Sequence, residues 1–225
     1  NLTRFSLFYP EKREFFLEGK NLFNFNLGND AQVFYSRRIG LHERKRIPIL
    51  GGARIVGKTG GTNLGLMSIQ SAETDSLPTT NFSVIRLKQE VFKQSNIGLI
   101  FTSKNNADCY NYVYGFDANY ATSKFLDDKN LEMGAAISQS YSEYQSNKNN
   151  LGYKAYITFP NDLVEFDLYT FIINQNFNPD MGFLRRKDYR LYYSELELQP
   201  RPSFIPFIKN FEIVPFELEY YFTDH

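Results

Sequence analysis

The sequence is poor in the residues on which most site chemistry depends. It holds one cysteine, Cys109, so neither an internal disulfide framework nor a multi-cysteine zinc site can form. Its two histidines, His42 and His225, are thin material for a histidine metal site or a Ser-His-Asp triad. No metal, cofactor or catalytic residue is therefore expected. Charge of one sign is also missing: 25 basic and 25 acidic residues cancel, which removes the global drive toward nucleic acid or an anionic membrane surface. No stretch approaches the roughly 18 consecutive apolar residues of a transmembrane helix. Asn1 opens no basic and then apolar leader, so either the protein is cytosolic or the start of a precursor is missing.

What the sequence has in abundance is aromatic side chains, 22 Phe and 16 Tyr without a single Trp. Its mean hydropathy is nevertheless only -0.42. A soluble core of this aromatic content normally brings more aliphatic bulk. A β-barrel in a membrane needs only every second strand residue to be apolar, and so averages out as hydrophilic. The 225 residues suffice for one large all-β unit or two ordinary domains.

Period-2 alternation runs through most of the chain. At 110–120, Tyr110, Tyr112, Tyr114, Phe116, Ala118 and Tyr120 alternate with Asn111, Val113, Gly115, Asp117 and Asn119. At 151–159, Leu151, Tyr153, Ala155, Ile157 and Phe159 oppose Gly152, Lys154, Tyr156 and Thr158. Such alternation puts unlike residues on the two faces of a strand. The same pattern, with 48–58, 62–72 and 82–92, predicts about ten antiparallel strands over 47–225 and no helix longer than two turns after Arg46. Short links at 59–61, 93–95 and 160–162 alternate with longer polar ones at 73–81, 103–108, 142–150 and 174–188, with 122–130 as the exception. Outer-membrane barrels join strands in this unequal way, and a Greek-key sandwich does not readily do so. The fold expected is all-β, an antiparallel meander forming part of a transmembrane barrel.

Residues 1–46 differ in character. Glu11, Lys12, Arg13, Glu14 and Glu18, mixed with Phe15, Phe16 and Leu17, suit one short helix, and Arg37, Arg38, His42, Glu43, Arg44, Lys45 and Arg46 form a charged patch. A solvated linker is the ordinary reading of such runs. The functional alternative is a plug in the barrel lumen, its arginines, Arg13, Arg37 and Arg38 among them, paired with carboxylates of the wall.

Four local patterns carry a resemblance: Phe8-Tyr9-Pro10-Glu11-Lys12-Arg13-Glu14-Phe15-Phe16-Leu17-Glu18-Gly19, Phe34-Tyr35-Ser36-Arg37-Arg38-Ile39-Gly40, Pro48-Ile49-Leu50-Gly51-Gly52-Ala53 and Phe177-Asn178-Pro179-Asp180-Met181-Gly182-Phe183. Together they resemble the C-terminal β-barrel domain of unknown function that follows a family-9 carbohydrate-binding-like domain in Gram-negative outer-membrane proteins. The resemblance implies an envelope protein in the outer membrane, sometimes labelled a membrane-associated hydrolase. Its partners would be lipid and, through an upstream domain absent from this sequence, glycan. It carries no established catalytic residue to transfer. Asp224-His225 follow an aromatic strand on which such barrels usually finish, so the sequence looks like an internal fragment.

Three patterns invite sharper chemistry. Gly52-Ala53-Arg54-Ile55-Val56-Gly57-Lys58-Thr59 spells a phosphate-binding loop, but Ala53, Ile55 and Val56 favour a strand, and Gly60-Gly61 suit a hairpin turn rather than the helix such a loop needs. Nucleotide is not expected. The acidic pairs Glu165/Asp167, Glu195/Glu197 and Glu217/Glu219 each share one face of a strand; they offer a glycosidase pair or, more simply, a lumen lining, beside which Asp117 should also lie and tolerate change. Arg185-Arg186-Lys187, near Asn178 and Asp180, offers a rim for a ligand or lipopolysaccharide phosphate, a solvated loop being the ordinary reading. Two functions result. One is an outer-membrane barrel that anchors or accompanies a glycan-binding domain and binds or passes a solute; the other is a soluble β-rich hydrolase or lectin acting on polysaccharide.

Overall fold

A computed structural model of the chain describes every residue except 1–7, 29–30, 43–44, 76, 203, 205–206, 208, 223–225 and the side chain of His42. Glu43 and Arg44 of the charged patch and the terminal Asp224-His225 thus lie outside the described residues. In chain order the elements are a one-turn helix α1 (Glu14–Leu17), β1 (Ala31–Gln32), a 3-10 turn (Ser36–Arg38), β2 (Leu41–His42), β3 (Lys45–Arg46), β4 (Ile49–Thr59), β5 (Thr62–Ser71), β6 (Thr80–Val91), β7 (Ser95–Asn105), β8 (Tyr110–Phe125), β9 (Lys129–Ser142), β10 (Leu151–Pro160), β11 (Val164–Ile173), β12 (Phe183–Leu184), β13 (Tyr189–Leu198) and β14 (Ile213–Phe222).

Ten of the strands form one antiparallel sheet in the order β4-β5-β6-β7-β8-β9-β10-β11-β13-β14, a meander in which each strand pairs with the next long strand of the chain. The sheet is open, with β4 and β14 as its edges, and does not close into a barrel. The interruption is β12, which leaves the sheet to pair with β1.

Register assigns the two faces. Met67 lies opposite Val84 and Arg54, Ile100 opposite Gly115 and Arg86, and Tyr156 opposite Gly134 and Tyr169, so these residues share the inner face. Leu66, Ile85, Phe101 and Tyr114 follow one another the same way on the outer face, and the pairs Phe116 with Ile137, Ile137 with Tyr153 and Ile157 with Leu168 continue it. Among the described residues of the ten strands, the outward set carries charge only near strand ends, at Lys124, Lys129 and Arg190, whereas Arg86, Lys104, Asp117, Glu132, Lys154 and the six carboxylates of the acidic pairs face inward.

The unequal connections are present, with one exchange. The expected long link at 122–130 is a tight turn, because β8 continues to Phe125 and β9 starts at Lys129; Leu126 and Asp127 turn the chain with φ of 48° and 79°. A register shift between Thr122 and Phe125 breaks the alternation there, which is why the strand extension is hidden in the sequence. The long link at that end of the sheet is instead 199–212, between β13 and β14.

The core lies between the inner face and the N-terminal segment. Phe16, Phe23, Phe25, Leu27, Val33, Phe34 and Ile39 join Met67, Ile69, Val84, Ile100 and Val113 from the wall in a single buried cluster. The segment crosses the sheet obliquely, and wall glycines make room for it. A Cβ on Gly65 (β5) would lie 2.8 Å from Phe23, one on Gly115 (β8) 2.7 Å from Phe25, and one on Gly152 (β10) 2.8 Å from Leu27. Farther along, Gly28 itself, at φ +100°, sits against the Phe171 ring of β11. Each side chain of the segment so buried contributes about 1.5 to 3 kcal/mol, so the segment plugs the inner face of the sheet and is part of the core.

Candidate functional site

The sequence-selected residues fall into three places. The first is a latch inside the N-terminal segment. Glu11 accepts from Arg13 Nη2 at 2.7 Å and Nε at 3.0 Å, from the main-chain N–H groups of Lys12 and Arg13 at 2.9 Å, and from Ser36 Oγ at 2.6 Å. Arg13 also donates to the carbonyls of Ile39 and Ser36, both at 2.9 Å, and its guanidinium lies 4.1 Å from the Phe16 ring centre. Burial alone would raise the Glu11 carboxyl, but the hydrogen bonds from Arg13 and Ser36 outweigh it and hold the pKa at about 2. Arg37 donates to Pro10 O at 3.0 Å, and Arg38 Nε to Gly182 O at 2.9 Å. The expected pairing of Arg13, Arg37 and Arg38 with wall carboxylates is therefore replaced. These side chains satisfy carbonyls and one carboxylate of the plug and its loop, groups left without strand partners where the chain turns.

The second place is the part of the inner face that the plug leaves uncovered. Register brings the three acidic pairs together: Glu165 lies opposite Glu197, Asp167 opposite Glu195, and Glu195 opposite Glu217. Beside them three tyrosines form a ladder across adjacent strands, with Tyr156 and Tyr169 ring centres 6.4 Å apart and Tyr169 and Tyr193 5.7 Å apart. Tyr193 donates its hydroxyl to Glu195, and Tyr156 donates to Asn119. A cleft of about 480 Å³ opens here, lined by Asn26, Glu132, Lys154, Tyr156, Asp167 and Tyr169 among others. Like charges placed opposite one another in a sheet cost stability, so these carboxylates do not add to the strength of the fold. The sequence does not single these tyrosines out, because the outward tyrosines of β8 dominate its alternation. The signal was their parity: Tyr156, Tyr169 and Tyr193 sit in phase with the acids, not with the apolar set.

The third place is the 174–188 connection, expected as a solvated loop. Its middle is buried instead: Phe177, Met181 and Phe183 are at most 4% exposed, and β12 pairs Leu184 with Ala31 and Phe183 with Gln32. Arg185 and Arg186 follow, with the Arg186 guanidinium 5.7 Å from the Tyr221 ring centre. Lys187 reaches back to Asn178. The phosphate-loop spelling at 52–59 lies within strand β4 and runs into a turn and then β5. Among the described residues no group of three or more His, Cys, Asp or Glu is placed to hold a metal ion.

A family model described as a domain of unknown function (DUF5916) matches residues 1–64. That span takes in the latch, the plug, all of β4 and the start of β5, and with them the first three of the four patterns read in the sequence. Over this part the chain is similar to that family. Neither a curated protein nor a solved structure matches the chain.

Proposed function

We propose that the ten-stranded sheet is a wall of a Gram-negative outer-membrane β-barrel, lipid on its outer face and the N-terminal segment seated on its inner one. The observation that carries this reading is the outer face itself. Leu99, Tyr114, Phe116, Ile137, Phe216 and Leu218 are 44 to 53% exposed, on strands spread across most of the sheet. Ten strands at about 4.8 Å spacing make a band on the order of 45 Å wide. Apolar patches on monomers in water rarely exceed a few hundred Å², and a lipid-facing wall is the setting in which such a band is stable. Four tight turns at one end, with 199–212 the one long link there, and longer connections at the other end support the same reading. In lipid the main-chain edges of β4 and β14 must meet further strands, since an open edge has no water to bond.

The uncovered acidic and tyrosine-lined strip then faces the lumen and provides the surface on which a solute binds or passes. The resemblance adds a role in anchoring or accompanying a glycan-binding domain.

The test is physical. In detergent phase separation the full-length protein should enter the detergent-rich phase and migrate on gels in a heat-modifiable way. In vesicles, nitroxide lipids should quench a fluorophore at Ile157 more than one at Thr158, its neighbour on the opposite face. Retention in the aqueous phase with equal quenching at the two positions would overturn the wall and favour a soluble β-rich protein.

A further inference from the structure

At the end of the sheet that carries the longer connections, three cations meet around one carboxylate. Arg38 comes from the 3-10 turn of the plug, Lys104 from the end of β7, and Lys187 and Asp180 from the 174–188 connection; together they line one cavity of about 260 Å³. Lys104 Nζ pairs with Asp180 Oδ2 at 3.1 Å. Lys187 Nζ donates to Asn178 Oδ1 at 2.7 Å, a neutral acceptor. Arg38 spends Nε on the Gly182 carbonyl, and both of its terminal nitrogens are without a partner among the described residues. Among the described residues that line the cavity, three positive charges thus meet the single carboxylate of Asp180, an excess of two.

The frame around them is hydrogen-bonded. Asp180 N–H donates to Asn111 Oδ1 at 3.0 Å, Asn111 Nδ2 donates to Asn178 O at 2.8 Å, and Tyr35 N–H donates to Met181 O at 2.7 Å. These bonds tie the connection to both wall and plug, so the cations are positioned before any ligand arrives. Leu41, Ile47, Phe82 and Leu184 give the same cavity an apolar side. Burial pushes the Lys187 ammonium down, and Asp180 only partly opposes this.

We infer that this cavity is a binding site for a phosphate group, held by the guanidinium of Arg38 and the ammonium of Lys187. A phosphate dianion matches the two uncompensated charges. The terminal nitrogens of Arg38 present the planar fork that bonds two phosphate oxygens at once, while Lys187 acts as a point charge. Lys104 pairs with Asp180, which leaves an excess of two positive charges among the described lining residues. The phosphate can belong to a free solute or to a lipid headgroup whose chains lie on the apolar side.

The experiment is calorimetric titration of the full-length protein in uncharged detergent. The probes are inorganic phosphate, dihexanoyl phosphatidic acid and dihexanoyl phosphatidylcholine. Saturable binding of inorganic phosphate is expected, weakened at least tenfold by Arg38→Gln and by Lys187→Gln and unchanged by Arg201→Gln, whose arginine pairs with Asp162 away from this cavity. Tighter binding of the phosphatidic acid than of inorganic phosphate, lost in the same variants, assigns the site to a headgroup; equal or weaker binding assigns it to a free solute. Failure of both phosphate probes to bind, or binding that survives both substitutions, overturns the inference. Lys187 lies outside the buried core cluster and, among the described residues, makes one side-chain bond, to Asn178, so Lys187→Gln decides the matter even where Arg38→Gln fails to fold.

Discussion

Arg86 and Asp117 form a two-pronged ion pair across an intervening strand, with Nη1 to Oδ1 at 2.6 Å and Nη2 to Oδ2 at 2.9 Å. They stand on β6 and β8, and Gly98 of β7 lies between them. A Cβ there would be 2.5 Å from Asp117 Oδ1 and 2.6 Å from Arg86 Nη1. Arg86 also donates Nε to Leu22 O at 3.2 Å, and its guanidinium lies 5.3 Å from the Phe25 ring centre. One pair thus joins three strands and the plug.

Removing one partner should therefore cost far more than removing both. Arg86 is 1% exposed, and Asp117→Leu would strand its charge, a loss of about 3 to 5 kcal/mol. Arg86→Leu combined with Asp117→Leu should recover much of that loss. Denaturant midpoints of the four proteins check it, and simple additivity would contradict the pairing. The expectation that Asp117 sits on a tolerant lumen face is corrected here, because its carboxylate is a structural partner.

The plug should come loose when its sockets are filled. Gly115→Val sets a side chain where the Phe25 ring and the Ile100 branch already lie, and overpacking of this kind costs about 1 to 3 kcal/mol. Limited proteolysis should then cut the N-terminal segment faster, and Phe25→Ala in the same protein should soften the effect by vacating the space.

Acid should weaken the latch in a defined window. The carboxyl of Glu11 has a folded pKa of about 2, below its ordinary 4.5. A depressed carboxylate contributes fully above its unfolded pKa and loses that contribution as pH falls toward the folded value. Stability should decline between about pH 4.5 and 2, by up to about 3 kcal/mol. Glu11→Gln should be less stable at neutral pH and should flatten that part of the curve in pH-dependent denaturant unfolding.

The outer face should reject charge that the inner face accepts. Ile157→Arg near the middle of β10 should cost about 2 to 4 kcal/mol in a bilayer. Thr158→Arg, one residue on, enters a face where Thr158 lies opposite Asp167 and Glu132, and should be neutral or mildly stabilising. Equal costs in vesicle-based unfolding would remove the lipid assignment.

Much of this architecture was readable from the chain. Alternation at 110–120 and 151–159 located β8 and β10 and their two faces, because period 2 is a property of consecutive residues. It failed at 122–125, where a register shift interrupts the period, and at 177–184, where Phe177, Met181 and Phe183 bury themselves against the plug without any strand period to announce it. The acidic residues were found individually, but their union across β11, β13 and β14 depends on register, which the sequence does not write down.

Alternation along the chain dictates amphipathic strands, about ten of them, with charge on one side and apolar rings on the other. Local spacing is enough for that. Which residues meet follows from the packed fold alone: Phe23, Phe25 and Leu27 against the gaps at Gly65, Gly115 and Gly152, Arg86 with Asp117, and Arg38 in one cavity with Lys187. Each of these depends on bringing segments far apart in sequence together around one core, and the hydrophobic burial that does so is non-directional, so it leaves no local pattern to read.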